Sequence, residues 1–310
     1  MIGLGIALES FTPPEVRPDI QKIFGMASRA EELGFDTIWV WDHLLLGSKK
    51  VYQVLEPLTL LSALSVRTAK VRLGVSTLVL PLRDPVVLAK VVQTLDCLSN
   101  GRLLLGVSAG WYEKEFDAVG ASFPDRGKTI ETFLKIVRKL VNEEDINMQV
   151  GNRRFNHTSM KPRPGVPPKI LMGGYKVLKR IGTMSDGWIS SYYTPEDFGQ
   201  TWSEIMVYAR AAERNLDQMT NVNILPICVK NTFEEADKEV RAFTAEYMDM
   251  PPWSKSKVES AVRGTVKDCV EQIRKYEHAG VQNLEFLPCY YDMEQLEIVG
   301  NEVLPHFTRK

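Results

Sequence analysis

An amphipathic helix, a glycine or basic turn and a short aliphatic strand follow one another repeatedly along this chain. Apolar residues recur at helical spacing over residues 20–33, Gly34 ends that segment, and residues 37–41 are mostly β-branched and aromatic, as in a strand. Residues 276–286 repeat this layout near the C-terminus. Such alternation of helices with strands is typical of α/β folds built on a parallel sheet.

Eight strands are predicted from this pattern. Their segments are 2–8, 37–41, 71–78, 103–107, 169–172, 187–191, 222–229 and 283–288. Eight strands alternating with helices in 310 residues favour a closed parallel barrel over an open doubly wound sheet, and nearly continuous apolar strands fit a sheet covered on both faces. We therefore expect a single (β/α)8 TIM-barrel domain over residues 1–310.

Two stretches interrupt the alternation. Residues 143–168 are polar and proline-rich, with a hairpin predicted to turn at Val150-Gly151-Asn152, and residues 248–260 contain Pro251-Pro252. Long loops in a compact domain are often lids or binding loops. We expect both stretches to be insertions at the C-terminal face of the barrel that shape substrate specificity.

Composition argues against several classes of function. The chain has 38 basic and 39 acidic residues, a net charge of -1 that disfavours a general nucleic-acid or membrane-surface binder. No apolar stretch is long enough to span a bilayer and no secretion signal is visible, so we expect a cytoplasmic protein. The absence of CxxC, HxH and HExxH patterns argues against a metal site. Buried free thiols are expected for Cys97, Cys228, Cys269 and Cys289.

Functional side chains of such a barrel are expected at the C-terminal ends of its strands. Asp42 and His43 follow the second strand, and His43 is the only one of the four histidines at a predicted strand end. Imidazole exchanges protons near neutral pH, and Asp42 is placed to accept a hydrogen bond or to orient a donor. The alternative is a polar pair that caps the strand. Loop or helix-surface positions are expected for His157, His278 and His306.

Paired glycines follow the fifth strand. Gly173 and Gly174 lead into a helix, where backbone N–H groups and the helix dipole favour a phosphate. Positive potential for an anionic cofactor tail is expected from Lys161, Arg163, Lys176, Lys179 and Arg180. The alternative is an ordinary tight turn beside a solvated charged face. Lys230, after the seventh strand, is a candidate Schiff-base lysine of an aldolase-like barrel or simply a solvated lysine at a strand exit.

The whole set of motifs resembles the luciferase-like flavin-dependent oxidoreductases, particularly the branch that uses the deazaflavin coenzyme F420. The resemblance covers nearly the whole chain, and its most specific stretches are FDTIWVWDHL at residues 35–44, VRLGVSTLVLP at 71–81 and the segment 84–111. Gly173-Gly174 and the later Asp186-Gly187-Trp188 add to it. Each motif alone is weak, but their order and spacing together are specific.

The resemblance implies a set of site residues. Asp42 and His43 correspond to residues beside the reactive edge of the ring, with the histidine as proton donor or acceptor. Ser76-Thr77 corresponds to a strand bulge with a non-proline cis peptide against one ring face. The implied ring pocket includes Ala109, Gly110 and Trp111, and the implied phosphate site is Gly173, Gly174 and Tyr175.

Trp111 departs from some F420-dependent relatives, which carry a catalytic glutamate at its position. We nevertheless predict Asp42, His43 and Trp111 as the catalytic residues. Glu113 and Glu115 are candidate replacements for the missing acid, and the alternative for both is a carboxylate at the start of a helix.

The activity implied is hydride transfer between F420 and a small organic substrate, with His43 moving the accompanying proton and the loops after strands four and seven acting as lids. Three alternatives stay open: a monooxygenase that uses reduced FMN and oxygen, a non-catalytic flavin-binding barrel, and a sugar-phosphate or aldolase barrel. A homodimer or higher homo-oligomer is expected because residues 58–66 and 86–92 are more apolar than one barrel wall requires, with core packing as the alternative.

Overall fold

Strands and helices alternate through the computed structural model, which describes residues 2–47, 51–247 and 254–307. The strands are β1 (Gly3–Ala7), β2 (Phe11–Thr12), β3 (Thr37–Val40), β4 (Gln53–Val54), β5 (Arg72–Val79), β6 (Leu103–Ser108), β7 (Ile146–Val150), β8 (Arg153–Thr158), β9 (Lys169–Gly173), β10 (Gly187–Ser191), β11 (Thr220–Val229), β12 (Val262–Gly264) and β13 (Asn283–Pro288). The helices are α1 (Ile20–Leu33), α2 (Pro57–Ser65), α3 (Pro85–Ser99), α4 (Glu113–Val119), α5 (Arg126–Asn142), α6 (Leu178–Met184), α7 (Pro195–Ala211), α8 (Phe233–Tyr247), α9 (Ser254–Ser260), α10 (Val266–His278) and α11 (Met293–Ile298).

Eight parallel strands close into a ring. The order around it is β1, β3, β5, β6, β9, β10, β11 and β13, with β13 pairing back onto β1. The predicted TIM barrel is confirmed, and each of the eight predicted strands overlaps one strand of the ring. A three-residue strand that the sequence pattern did not indicate, β12, pairs with the end of β11.

The interior of the barrel is packed around one large aromatic side chain. Trp39 on β3 is almost completely buried among aliphatic residues of the other strands. Glycines on the two neighbouring strands make room for it: a Cβ at Gly74 would lie 2.2 Å from Trp39 Cε3, and a Cβ at Gly5 would lie 2.6 Å from Trp39 Nε1. These glycines are therefore required by the size of the indole.

Helix ends follow the chemistry of their sequences. Asp19 caps α1 by accepting the Lys22 N–H, and Gly34 ends that helix with a left-handed backbone, as predicted. Asp84 caps α3 by accepting the N–H groups of Val86 and Val87. The caps fix where each helix begins and thereby the length of the loop at each strand end.

The insertion at 143–168 forms the hairpin β7–β8, turning where predicted, with Val150 paired to Arg153. Arg153 forms an ion pair of 2.7 Å with Asp84 at the start of α3, and the Gln93 amide on α3 donates to the Met160 carbonyl. The hairpin thus packs against α3, with its turn near the end of that helix that follows β5. None of its residues lines the main cavity, so the expected role of this insertion in substrate specificity stays a prediction.

The second irregular stretch is only partly described. Residues 248–253 lie outside the described residues, and residues 254–260 form α9. Within the described ranges, no helix is both long and apolar enough to cross a bilayer, and no cluster of metal-ligating side chains occurs.

Cysteine and histidine positions agree with expectation except at Cys97 and at His157, which lies on strand β8 and not on a loop or helix surface. Cys228, Cys269 and Cys289 are buried free thiols, whereas Cys97 is exposed on the outer face of α3. The helical spacing places Cys97 next to Leu98, which is also exposed, so the prediction of burial was wrong there. His157 is exposed on a strand, His278 on a helix and His306 in the C-terminal turn.

Candidate functional site

A cavity of about 640 Å³ opens at the C-terminal ends of the barrel strands. The barrel brings together every residue that the sequence predicts for the site. The cavity is lined by all ten of them: Asp42, His43, Ser76, Thr77, Ala109, Gly110, Trp111, Gly173, Gly174 and Tyr175. Because these residues belong to several different strands and the loops that follow them, only closure of the sheet places them around one space.

His43 is held by a buried carboxylate. Its Nδ1 lies 3.2 Å from both oxygens of Glu115, whose side chain has no exposed surface. Oε1 of Glu115 also accepts the N–H groups of Leu44, at 2.6 Å, and of Leu45, at 3.2 Å. Because a carboxylate only accepts, Nδ1 carries the hydrogen and Nε2 is the ring nitrogen left for proton exchange.

Aromatic packing fixes the other side of the His43 ring. Trp111 meets His43 edge-on, with ring centroids 5.6 Å apart, and Tyr112 next to it donates a hydrogen bond to the Gly47 carbonyl. Of the two candidate replacements for the missing glutamate, Glu113 is exposed on α4 and lies outside the cavity wall. Glu115 is the one that contacts a site residue.

Asp42 forms a buried ion pair. Its carboxylate accepts two hydrogen bonds from the Arg83 guanidinium, at 2.7 and 2.8 Å, and one from the Val79 N–H at 2.8 Å. Burial acts to lower the pKa of Arg83, but Asp42 and Glu56 outweigh it and raise that pKa. Asp42 accepts hydrogen bonds, as predicted, but from β5 and the turn after it. Its catalytic role stays a prediction.

The bulge of β5 forms the floor of the cavity. The Ser76-Thr77 peptide is cis, as predicted, and the β5–β6 register shifts between Val75 and Leu78. The Ser76 hydroxyl donates to Glu285 Oε1 at 2.7 Å. This contact joins the bulge to β13 on the other side of the barrel.

Glu285 is a site neighbour that sequence reasoning missed. It is fully buried, and the Trp41 indole N–H donates to the same oxygen at 3.0 Å. Burial raises the pKa of Glu285 to about 8, although hydrogen bonds from Ser76 and Trp41 act to lower it. A glutamate in the middle of the apolar strand NLEFLP was the available signal.

Positively charged side chains also line the cavity. Gly174 has φ 143°, and Lys176 and Arg180 follow it along the wall. Arg126, at the start of α5, is a third cation of this wall and was not predicted. Its Nε and one terminal nitrogen donate to the carbonyls of Gly110 and Phe123. Of the other cations predicted here, none of Lys161, Arg163 and Lys179 lines the cavity.

These features fit a planar cofactor with an anionic tail. The N-terminus of α6 has no side-chain cap, so its first N–H groups are not satisfied by a side chain. Thr77, Ala109 and Ile189 line the cavity, and so do three cations, of which Arg126 lies beside Gly110. A cavity with both apolar walls and cations suits a flavin or deazaflavin phosphate.

Two lysines differ in their surroundings. Lys257 on α9 is buried, lines the cavity, and has its pKa lowered by burial to about 8. Lys230 lies outside the cavity wall and pairs with Glu239 at 3.2 Å. Burial acts to lower the pKa of Lys230, but Glu239 raises it overall. A Schiff-base lysine needs a lowered pKa, so the aldolase alternative loses its support.

This chain is similar in sequence to known proteins. A profile of the luciferase-like monooxygenase family matches residues 5–283. The F420-dependent glucose-6-phosphate dehydrogenase of Amycolatopsis mediterranei is 26% identical over 334 residues, which cover 98% of this chain and 97% of that enzyme.

Solved structures show the same barrel. Monooxygenase RslO1 from Streptomyces bottropensis has a TM-score of 0.83 at 21% identity, covering 99% of this chain and 100% of that one. The coenzyme F420 dependent tetrahydromethanopterin reductase from Methanopyrus kandleri has a TM-score of 0.81 at 20% identity, covering 99% of both chains. Because the family profile spans most of its length, this chain belongs to the luciferase-like monooxygenase family, the family that its motifs resemble.

Proposed function

We propose that this chain is an oxidoreductase that transfers a hydride between coenzyme F420 and a small organic substrate. The observation that carries the proposal is the pair His43–Glu115 at a cavity that is also lined by cations. The F420-dependent relative that aligns over nearly the full length of both chains supports the deazaflavin rather than FMN.

When bound, F420 supplies a ring carbon that accepts or gives the hydride. His43 takes the proton of a substrate hydroxyl on Nε2 during oxidation and returns it during reduction, because Glu115 keeps the hydrogen on Nδ1. Trp111 packs edge-to-face against the imidazole, and this contact keeps the imidazole turned toward the cavity.

Other residues bind and orient. Gly173, Gly174 and Tyr175 offer a turn with close backbone approach for the phosphate, and Lys176 and Arg180 supply countercharge. The apolar wall formed by Thr77, Ala109, Gly110 and Ile189 excludes water from the ring, which strengthens every electrostatic contact inside the cavity.

A titration of the purified chain with F420 and with FMN tests the cofactor. We expect saturable binding of F420, followed by reduction of F420 by a substrate alcohol without oxygen. Oxygen-dependent product formation with reduced FMN would instead establish the monooxygenase alternative.

A histidine pair tests the mechanism. His43→Ala should keep F420 binding and lose about 10²–10⁴-fold in turnover, the usual contribution of a positioned acid–base group. His278→Ala, at an exposed position on α10, is the matched control. Turnover of His43→Ala equal to that of the control would favour a barrel that binds a flavin without using His43.

We further propose that the chain works in the cytoplasm as a homodimer or higher homo-oligomer. Most apolar residues of α2 and α3 are buried in the barrel wall, but Val66 and Val87 stay exposed, at 72% and 63%. Exposed apolar side chains beside an apolar wall support an interface there. Light scattering of the purified chain decides the oligomeric state, and a monomeric mass would contradict this part of the proposal.

A further inference from the structure

An acidic side chain lies inside the barrel directly below the cavity. Glu285 shares the inward face of β13 with Leu287, and its backbone neighbours across the sheet are Gly5 on β1 and Ile224 on β11. Its exposed fraction is 0%. Carboxyl groups are rarely buried this completely without a cationic partner, so its state needs an explanation.

The two oxygens of Glu285 have different surroundings. Oε1 accepts hydrogen bonds from the Ser76 hydroxyl and the Trp41 indole, whereas Oε2 is buried and has no hydrogen-bond partner among the described residues. An ionised carboxylate would leave a buried anionic oxygen unpaired. A neutral acid avoids this by carrying its hydrogen on Oε2, which agrees with the pKa of about 8 that burial produces.

The groups around Glu285 do not supply a compensating charge. Two tyrosines, Tyr192 and Tyr291, are its titratable neighbours, and burial raises the pKa of Tyr192 well above its usual range, so it is neutral too. A cation of the cavity wall, Lys257, has its Nζ 5.5 Å from the centroid of the Tyr192 ring. The influences on Glu285 itself are burial and the hydrogen bonds from Ser76 and Trp41.

Both hydrogen-bond partners of Glu285 belong to the cavity wall. Ser76 is the first residue of the cis peptide, and Trp41 precedes Asp42 and His43. The acid is therefore one hydrogen bond away from the space in which the ring would lie. Any charge on it acts on that space through a low-dielectric interior, where electrostatic interactions are strong.

We infer that Glu285 is a positioning residue that, as a neutral acid, holds Ser76 and Trp41 at the cavity floor, and that its ionisation weakens binding of the hydride-accepting ring. The inference rests on the proposed function for the identity of the ring. A ring that has accepted a hydride has gained an electron pair, so an anion below the floor opposes binding of the ring in its reduced form. The neutral acid keeps the hydrogen bonds and removes the repulsion.

Affinity for reduced F420, measured in the Lys257→Met background over a pH range that brackets about 8, tests this, because Lys257 also lines the cavity and has a pKa of about 8. With Glu285 present we expect the dissociation constant to rise about tenfold per pH unit above the pKa, because only the neutral form binds well. Glu285→Gln in that background keeps an acceptor oxygen and cannot ionise, so its dissociation constant should be the same above and below about pH 8. Glu271→Gln, at an exposed position on α10, is the matched control and should keep the wild-type profile.

Removal of the acceptor tests the positioning role. Glu285→Leu leaves Ser76 and Trp41 without their partner, and we expect at least about tenfold weaker binding at every pH. If this variant does not fold, the pH profile of Glu285→Gln still decides. A pH profile of Glu285→Gln that falls as the wild type does would overturn the inference.

A second measurement needs no cofactor. An infrared difference spectrum of wild type minus Glu285→Gln should show the carbonyl band of a protonated carboxylic acid at neutral pH, and the band should disappear as the pH passes about 8. Absence of that band at neutral pH would contradict the neutral state. If F420 binds at no pH, the proposed function and the binding half of the inference fail, while the band still decides the state of Glu285.

Discussion

Replacing Glu115 by glutamine turns one hydrogen-bond acceptor beside His43 into a donor. Oε1 of Glu115 accepts the Leu44 and Leu45 N–H groups, so the amide oxygen of the introduced glutamine would take this place and its NH₂ would replace Oε2 beside His43. Because Oε1 and Oε2 both lie 3.2 Å from Nδ1, the NH₂ donor competes there with the amide oxygen and shifts the ring hydrogen toward Nε2. The tautomer with hydrogen on Nε2 has no lone pair toward the cavity.

The expected loss follows from the direction of proton transfer. During substrate oxidation Nε2 must accept the hydroxyl proton, and the usual contribution of such a group is about 10²–10⁴-fold. This corresponds to roughly 3–5 kcal/mol of activation free energy. A carboxylate-to-amide exchange behind the histidine of a serine-protease triad lowers kcat by about 10⁴ for the same reason, the wrong tautomer. The reduction direction should lose as well, because a neutral imidazole that gave up its only hydrogen from Nε2 would become an imidazolate, whereas in the wild type an imidazolium gives up that proton.

Single-turnover absorbance measurements with bound F420 follow both directions separately. Glu113→Gln, two residues earlier on the exposed face of α4, is the matched control. The free energy of unfolding of Glu115→Gln should fall by only about 1–2 kcal/mol, because the backbone N–H groups keep an acceptor. An oxidation rate within about threefold of the control would refute the assignment of His43 as base and Glu115 as its orienting group.

Three further changes test the fold and the charges of the site. Gly74→Ala puts a methyl group 2.2 Å from Trp39 Cε3 and should lower the free energy of unfolding in urea by at least about 1–3 kcal/mol, whereas Gly25→Ala, in open space on α1, should not lower it. Asp42→Asn leaves Arg83 with only the half-exposed Glu56, at 3.2 Å, as an anionic partner and should cost about 3 kcal/mol, so a stable variant would contradict the buried pair. Lys257 has a folded-state pKa of about 8 against an ordinary value of 10.5, so the unfolded chain binds the proton more tightly and this lysine makes stability rise with pH between these values. Lys257→Met should remove that rise, and thermal melts over this range would show an unchanged rise if Lys257 is not the cause.

Most of the fold is encoded in local pattern. The apolar strands and the caps at Asp19 and Gly34 give the order and type of the elements, and eight repeats leave little choice but a closed ring. The rule that function lies at the C-terminal strand ends then brings Asp42 and His43 to the cavity wall without knowledge of any distance. The resemblance to a family added the Ser76-Thr77 cis peptide, which no composition or spacing predicts.

What the sequence did not predict depends on contacts between distant segments. Glu115 and Glu113 are both carboxylates at the start of α4, and only the angle at which α4 packs against the loop after β3 makes Glu115 the partner of His43. Arg126 was missed because its side chain reaches the cavity across a loop. The hairpin within residues 143–168 was predicted, but its packing against α3 depends on contacts that the local pattern does not contain.

A crystal structure of the chain with F420 is the most direct test of the account. The account predicts the ring between the Ser76-Thr77 peptide and Ala109, with its reactive edge within hydrogen-bond reach of His43 Nε2 through substrate, and the phosphate at Gly173-Gly174 beside Arg180. A ring bound outside this cavity, or one whose reactive edge faces away from His43, would contradict it.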